Sequence, residues 1–462
     1  MSSKNKSVST GPNRTFEIAT RVVSVGWEHL TADAVTVVKR LISDGIAVAI
    51  AGTREQAPKI YAEYVRETGC RADSTVWGFD FKTSPVHAAF ANAVSMHVLD
   101  FEPMSSPPTH AVSPTVPVVM ALAEARGKSG RDIITASAKG FEMQGRVLAA
   151  SRHDRGSLPF HTPGVVGVMG STAAASHLLG LDAGQLVNAF GIATSRCSGL
   201  SANTGSMVKC THPGNAAGAG LEAALLAQKG FTSHPNIFEA GRGYVDIFFH
   251  DHFDYDTVYA YGNPFRFVTP GMAIKFYPSK FPTHFVITAA IGLRRQIADP
   301  SKIRNLHLAV PDIEDADRPQ PRSGLEGKFS LQYTSVIGLL DGKVGIDSFT
   351  DERRFRQDVV DLLAKTTIKR DPNVSRDTSN MSVELIATME DGSVVRQVCD
   401  KPPGFWGQPV DPDLHGAKIR DCLSARLPAA AVDDVLAMLG NLEQASAADV
   451  SRLIGLLACR VI

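Results

Sequence analysis

Along the first half of the chain, apolar residues return every three to four positions between polar caps and glycines, the period of helices that bury one face. Ser84-Pro85 opens a run with Ala89, Phe90, Ala93 and Met96 on one side. Pro117 to Glu124 carries another that ends near Gly127, Asp132 starts a third, Thr162-Pro163 opens a fourth that stops at Gly180, and Asp182 caps the next. Pro213 fits the first position of a helix, where a missing N–H costs nothing, and an Ala- and Leu-rich run reaches Gln228 before Gly230 closes it. The residues inside these runs are mostly Ala, Gly, Val and Leu, which predicts closely packed helices. No strand-and-helix alternation suggests a doubly wound sheet. The pattern changes after about Pro270. Leu306 to Val310 reads as a strand, and Ser382–Thr388, Glu390-Asp391-Gly392 and Val394–Val398 read as a hairpin with a glycine-containing turn. Lys401-Pro402-Pro403-Gly404 then breaks the chain, and helical patterning returns from about Asp413. The order predicts a mainly α protein: an all-helical domain from residues 15–269 and 404–462, with a smaller α+β domain at 270–403 inserted in it.

Length and composition bound this picture without changing it. At 462 residues the chain exceeds one ordinary core. Lysine plus arginine equals aspartate plus glutamate at 47 each, so no charge excess favours nucleic acid or a membrane surface. The six cysteines lie far apart with no C-x-x-C pair, against a zinc ribbon or a closely spaced iron–sulfur set and in keeping with a reducing cytoplasm. No apolar run approaches the ~18 residues of a membrane span. Residues 1–14 are polar and Ser-rich and read as a disordered tail.

Candidate chemistry enters with the segment from Gly205 to Ala217, where Lys209 and His212 lie at the start of the small-residue helix. An ammonium and an imidazole at a positive helix end make a place where carboxylates bind, so the expected ligand is a small anion of polycarboxylate type. Asp100 and His110 share a loop with three prolines, where a carboxylate can fix an imidazole tautomer; a solvated loop is the plainer alternative. His161 directly precedes the Thr162-Pro163 helix start, and Lys275, Lys280 and His284 form a second basic segment where the body hands over to the α+β part. Tyr333 by itself suits a core aromatic with a satisfied hydroxyl. The run His250 to Asp254 has the residue types of a metal site but few neighbours, and no metal is expected there. Gly214, Gly218 and Gly220 follow no strand and do not make a nucleotide loop.

Together, Ala91-Asn92-Ala93 with His97 to Phe101, Thr109-His110, Phe160 to Gly167 with Gly180, Lys209 to Ala217, Lys275 to His284, and Phe329 to Tyr333 before Leu340-Asp341-Gly342 resemble the MmgE/PrpD family. That family includes 2-methylcitrate dehydratase, cis-aconitate decarboxylase and iminodisuccinate epimerase. The resemblance spans roughly residues 15–420. It implies a helical N-terminal domain, an α+β lid, a homodimer, and catalysis with no cofactor, metal or iron–sulfur cluster. By the same resemblance Asp100, His110, His161, Lys209, Lys275 and Tyr333 match positions lining the family's active site, and His212 and His284 match histidines of the same motifs. In the roles this suggests, His110, oriented by Asp100, is the main acid/base, and Tyr333 or His212 carries the second proton transfer. Lys209, Lys275 and His161 hold carboxylates, with Lys280 and His284 also substrate-binding. Two departures stand out. Glu102-Pro103-Met104 replaces a further acidic pair and Thr of many relatives, and Lys280 stands where the decarboxylase branch has a His. The resemblance implies a lyase, with a hydro-lyase on a citrate-like di- or tricarboxylate as the first expectation. Epimerisation of a dicarboxylate and decarboxylation of the cis-aconitate type are the alternatives.

Overall fold

The computed structural model describes residues 13–152 and 158–459. The expected tail therefore lies outside the described residues except for its last two. Asn13 caps the first helix by accepting the Phe16 amide, so order begins before residue 15.

Among the described residues, nine helices of the first half, α1 (Arg14–Ser24), α2 (Ala32–Gly52), α3 (Gln56–Thr68), α4 (Pro85–His97), α5 (Val112–Arg126), α6 (Gly130–Ala150), α7 (Thr162–Leu179), α8 (Ala183–Thr194) and α9 (Thr211–Gln228), build the larger part of the molecule. Their ends follow local cap chemistry. Ser84 and Asp182 accept amides of the first turns of α4 and α8, Ser129 and Asp132 form a capping box at α6, and Gly180 ends α7 at φ +67°. Two prolines sit deeper than the sequence suggests: Pro117 lies inside α5, which begins at Val112, and Pro213 is the third residue of α9. At the third position the amide has no intrahelical partner to lose.

Helix α7 is central, with α6 and α9 packed against it, α5 and α8 beside them. The small residues are what allow this. A Cβ on Gly170 of α7 would sit 2.4 Å from the Gln144 side chain of α6, and one on Gly220 of α9 would sit 2.5 Å from Ser171 Cβ of α7. The last helices, Pro412–Ser424, Ala429–Gly440 and Ala447–Leu457, return to this body, where Ile419, Leu423, Val435 and Leu453 join its apolar core. The body is not purely helical. β1 (Ser74–Val76) and β2 (Phe81–Thr83) form a two-stranded antiparallel pair. Strands of three residues are too short for a period-2 signal, which explains their absence from the pattern.

A second apolar core gathers residues from Phe281 to Trp406, together with Met104 and Ala273, which pair as an isolated bridge. Here β3 (Ile303–Pro311), β4 (Thr366–Asp371), β5 (Val383–Met389) and β6 (Val394–Cys399) lie in the order β4-β3-β5-β6. β3 runs parallel to β4, with Leu308 opposite Ile368, and antiparallel to β5, with Leu308 opposite Leu385. Leu306, Leu308 and Val310 alternate into the core, to which the helices Phe281–Arg294 and Leu331–Asp341 also contribute. The hairpin and β3 match the alternation in the sequence. β4 carries Lys369, Arg370 and Asp371 on a half-exposed sheet edge and gives no such signal. Among the described residues no helix is long and apolar enough to cross a membrane.

Candidate active site

Six segments of the chain deliver side chains to one buried point between the two cores. Helix α4 ends in His97, and the loop that follows carries Asp100, Glu102 and His110 before α5 begins. His161 is the residue preceding α7, Lys209 lies in a short 3-10 turn (Met207–Cys210), and His212 is in the first turn of α9. Lys275 comes from the crossing segment into the smaller unit.

Asp100 is the pivot. Its Oδ2 accepts from Lys209 Nζ at 2.8 Å and its Oδ1 from Lys275 Nζ at 2.5 Å. Burial opposes ionisation of this carboxyl, but Lys209, Lys275 and His110 together outweigh it and hold it well below the usual carboxylate range. Lys275 is wholly buried, and that burial lowers its proton affinity while Asp100 opposes the change. Asp100 adopts φ +52°, a left-handed conformation that a non-glycine residue keeps only where its surroundings enforce it. One enforcing contact is next door. The Phe101 carbonyl accepts from Lys418 Nζ at 2.9 Å, and Asp44 of α2 holds that ammonium through both oxygens at 2.8 Å.

His110 lies between two carboxylates, where one was expected. Its Nδ1 lies 3.1 Å from Glu102 Oε1, while its Nε2 lies 3.5 Å from Asp100 Oδ1, too far for a good hydrogen bond. Glu102 also takes His97 Nδ1 at 2.5 Å and the Ser113 hydroxyl at 2.9 Å on the same oxygen. At its distance from Glu102, His110 Nδ1 is still left without a well-aligned hydrogen bond, and Nε2 is the ring atom turned toward Asp100. Burial lowers the proton affinity of His110, with Glu102 and Asp100 opposing it, and brings His97 down to about 4, so both rings are neutral at pH 7.

His161 and His212 face each other with their Nδ1 atoms 3.0 Å apart. Two such nitrogens can share one proton, so one ring donates and the other accepts. Burial, then the nearby Lys209, holds both below the ordinary histidine range, His161 far below. His284 is fully buried against Tyr277 and Phe281, its Nε2 3.3 Å from the Ser279 carbonyl and its Nδ1 without a hydrogen-bond partner. Burial and Lys275 depress it strongly.

Two expected site residues lie elsewhere. Lys280 precedes the helix Phe281–Arg294 with its ammonium paired to Asp315 on the outer side. Tyr333 sits on the buried face of its helix against Phe349, its hydroxyl donating to the Ser348 carbonyl at 2.6 Å and its ionisation pushed up by burial. That hydroxyl is committed to the fold and does not offer the second proton transfer. Met104, in place of Thr, is buried in the second core, where its backbone bonds Ala273 and its carbonyl accepts from the Trp406 indole. His97 and Glu102 were missed as site residues. Their signal was present in the spacing, three before and two after Asp100, but nothing local tells which carboxylate meets which ring.

His97, Glu102 and His110 are the described residues whose types and closeness, within 4.8 Å of one another, suit a metal. Their spacing argues for shared protons instead. Ligand atoms around a tetrahedral zinc stand about 3.3 Å apart or more, whereas His97 Nδ1 and Glu102 Oε1 are 2.5 Å apart. In the run His250 to Asp254, Asp254 is taken up by Arg152 and Thr257.

Carboxylate-directed cations, a buried imidazole with one free edge and a paired second histidine dyad make a site for moving protons beside carboxylates. The chain is 31% identical to cis-aconitate decarboxylase of Mus musculus over 429 residues, covering 90% of this chain and 88% of that protein. It is 30% identical to cis-aconitate decarboxylase of Homo sapiens, covering 93% and 92%, and 27% identical to that of Aspergillus terreus, covering 97% and 96%. The MmgE/PrpD N-terminal domain matches residues 16–256 and the MmgE/PrpD C-terminal domain residues 277–444. With both domains matched in order, the chain belongs to the MmgE/PrpD family.

Proposed function

We propose that this protein is a lyase acting on a small tricarboxylate, and that it releases carbon dioxide from a substrate of the cis-aconitate type. The observation that carries the reading is the fork of Lys209 and Lys275 on Asp100, with His110 Nε2 turned to the same carboxylate. Relatives named cis-aconitate decarboxylase, alignable over nine-tenths of the chain, support carbon dioxide release over the hydro-lyase expectation.

In cis-aconitate one carboxylate is borne on a methylene next to the double bond. When its C–C bond breaks, the electron pair becomes a new terminal double bond. The old π pair moves toward the carboxylate at the far end, giving a dienolate that takes one proton on carbon. One CO₂ leaves and one proton is consumed. Lys209 and Lys275 would stabilise the negative charge of that dienolate, the moment at which fixed ammoniums contribute most. His110 would take up a proton from solvent on Nε2 as that charge develops beside it and pass it to the dienolate carbon, with Glu102 lying beside its Nδ1. His161 and His212 would bind a further carboxylate oxygen.

A hydro-lyase reading stays as the second one on a specific observation. Lys280, which stands where the decarboxylase branch has a His, points at Asp315 and adds no ring to the cluster. The two readings part on one experiment. Incubation with cis-aconitate in D₂O, followed by NMR, is expected to give a methylene-bearing dicarboxylate with one deuteron per turnover and an equivalent of CO₂. Addition of water with all three carboxyl groups retained would overturn the decarboxylase reading in favour of hydration.

A further inference from the structure

Lys328 belongs to the smaller unit and precedes Phe329, whose ring lies 5.5 Å from Lys209 Nζ. It is 4% exposed. Its ammonium makes a single long hydrogen bond, 3.4 Å to the carbonyl of Leu99, the residue before Asp100, and lies 5.7 Å from the centre of the Phe349 ring. Among the described residues no carboxylate lies within ion-pair distance of it, whereas Lys209 and Lys275 each hold an oxygen of Asp100. Its backbone is fixed: the Lys328 carbonyl accepts from the Lys280 amide at 2.9 Å, and the preceding Gly327 leaves room that the Tyr333 ring fills. The side chain is therefore delivered to the edge of the site by a rigid wall. It is a buried cation with an unmet need for a counter-charge, which is costly unless something supplies one.

We propose that the Lys328 ammonium seats a third substrate carboxylate, so that the site is built for a tricarboxylate and selects it over a dicarboxylate. The proposal rests on the tricarboxylate reading above and assigns it a selecting residue. The neighbouring charges agree. Asp100 is already divided between Lys209 and Lys275, Glu102 is taken by His97 and Ser113, and Glu55 acts on Lys328 only from beyond ion-pair distance, so among the described residues no carboxylate pairs with it directly. Burial brings Lys328 down to about 8, opposed by Glu55 and Asp100 and reinforced by Lys209 and Lys275, so the ammonium is the main form at pH 7. The role assigns to Lys328 an anion that Lys209 and Lys275 do not need in order to be paired.

The test is calorimetric binding of two unreactive probes, tricarballylate with three carboxylates and glutarate with two, to the wild type and to Lys328→Met. Wild type is expected to prefer tricarballylate. The variant should bind it about tenfold more weakly or worse, the worth of a charge-assisted contact, while glutarate affinity stays within about twofold by the same scale. The ligand-free variant should melt no lower than wild type, because an unpaired buried charge has been removed. Equal weakening of both probes, no weakening of either, or a wild type that does not prefer tricarballylate would each overturn the proposal. Should Lys328→Met not fold, Lys328→Gln provides the same comparison. A wild type that prefers tricarballylate yet releases no CO₂ from cis-aconitate would overturn the reaction and leave Lys328 its role.

Discussion

Replacing Asp100 by Asn keeps the shape of the side chain and removes the charge on which two buried ammoniums depend. Lys275 is wholly buried and Lys209 nearly so, with contacts of 2.5 and 2.8 Å to the two carboxylate oxygens. Breaking a buried ion pair by removing one partner costs roughly 3–5 kcal/mol, because the other charge is stranded. A chain of 462 residues unfolds with an entropy of roughly 1 kcal/mol per degree at about 2.1 cal/mol/K per residue. Asp100→Asn should therefore lower the melting temperature by about 3–5 °C. The stranded Lys275 has an escape. Burial already depresses its proton affinity, and without Asp100 its folded pKa falls further below the unfolded value. The unfolded chain then binds the extra proton, so the deficit shrinks as pH rises toward the ordinary lysine range. Adding Lys275→Met removes one stranded cation, and the double variant should recover about 2 kcal/mol relative to the additive expectation. Turnover should stay absent in both. Urea unfolding of the four proteins of this cycle gives the coupling directly. An Asp100→Asn protein as stable as wild type, or a double variant whose loss is the plain sum of the single ones, would refute the buried fork.

Three further outcomes follow from the same geometry. His110→Asn should lose about 10²-fold or more in turnover while tricarballylate binding stays largely intact, the usual worth of a positioned proton-transfer group; near-normal turnover would move that role to the His161–His212 pair. Dialysis against a strong chelator should leave CO₂ release unchanged, since His97, Glu102 and His110 are spaced for shared protons; loss that a single metal restores would reverse that assignment. His97 is neutral in the fold with a pKa brought to about 4 by burial, against about 6.5 unfolded. The unfolded chain takes up this proton first, so stability falls as pH drops from 6.5 to about 4, by up to about 3 kcal/mol, and His97→Asn should flatten that part of the curve of stability against pH.

What could be read in advance was local. The starts and stops of α4, α7 and α8 are written in Ser84, the Thr162-Pro163 pair with Gly180, and Asp182, because a cap meets amides of its own first turn, while α6, expected from Asp132, is capped three residues earlier by Ser129. β4 was not legible, since a polar edge strand exists only by virtue of its neighbour, and neither were β1 and β2. The site divides along the same line. The residue types that hold and move protons beside carboxylates are visible in the motifs. Which carboxylate serves which base is not, because Asp100 finds Lys209 and Lys275 at separations of 109 and 175 residues. Asp100 and His110 on one loop made a natural pair on paper; the structure sets His110 between Asp100 and Glu102 and gives the oxygens of Asp100 to the lysines. Tyr333 shows the opposite error, a residue whose motif marks the site while its hydroxyl is committed to the Ser348 carbonyl.

The carboxy-terminal helices carry the argument one step further. The loop from Val98 to Ala111 holds two carboxylates of opposite duty, Asp100 for the lysines and Glu102 for the histidines, with Phe101 between them. For both to keep their aim, the backbone between them must be fixed, and Asp100 at φ +52° does not fix itself. Lys418 supplies the restraint. Its ammonium has three N–H groups and three acceptors, the two oxygens of Asp44 and the Phe101 carbonyl, and it lies 4.1 Å from the centre of the Phe101 ring. His415, one turn earlier on the helix Pro412–Ser424, donates to Asp44 as well. A helix more than three hundred residues after the loop thus holds the peptide that separates the two halves of the site. The return of the chain to the helical body after the smaller unit is, on this geometry, part of how the acid/base residues are aimed as well as a way of finishing the core.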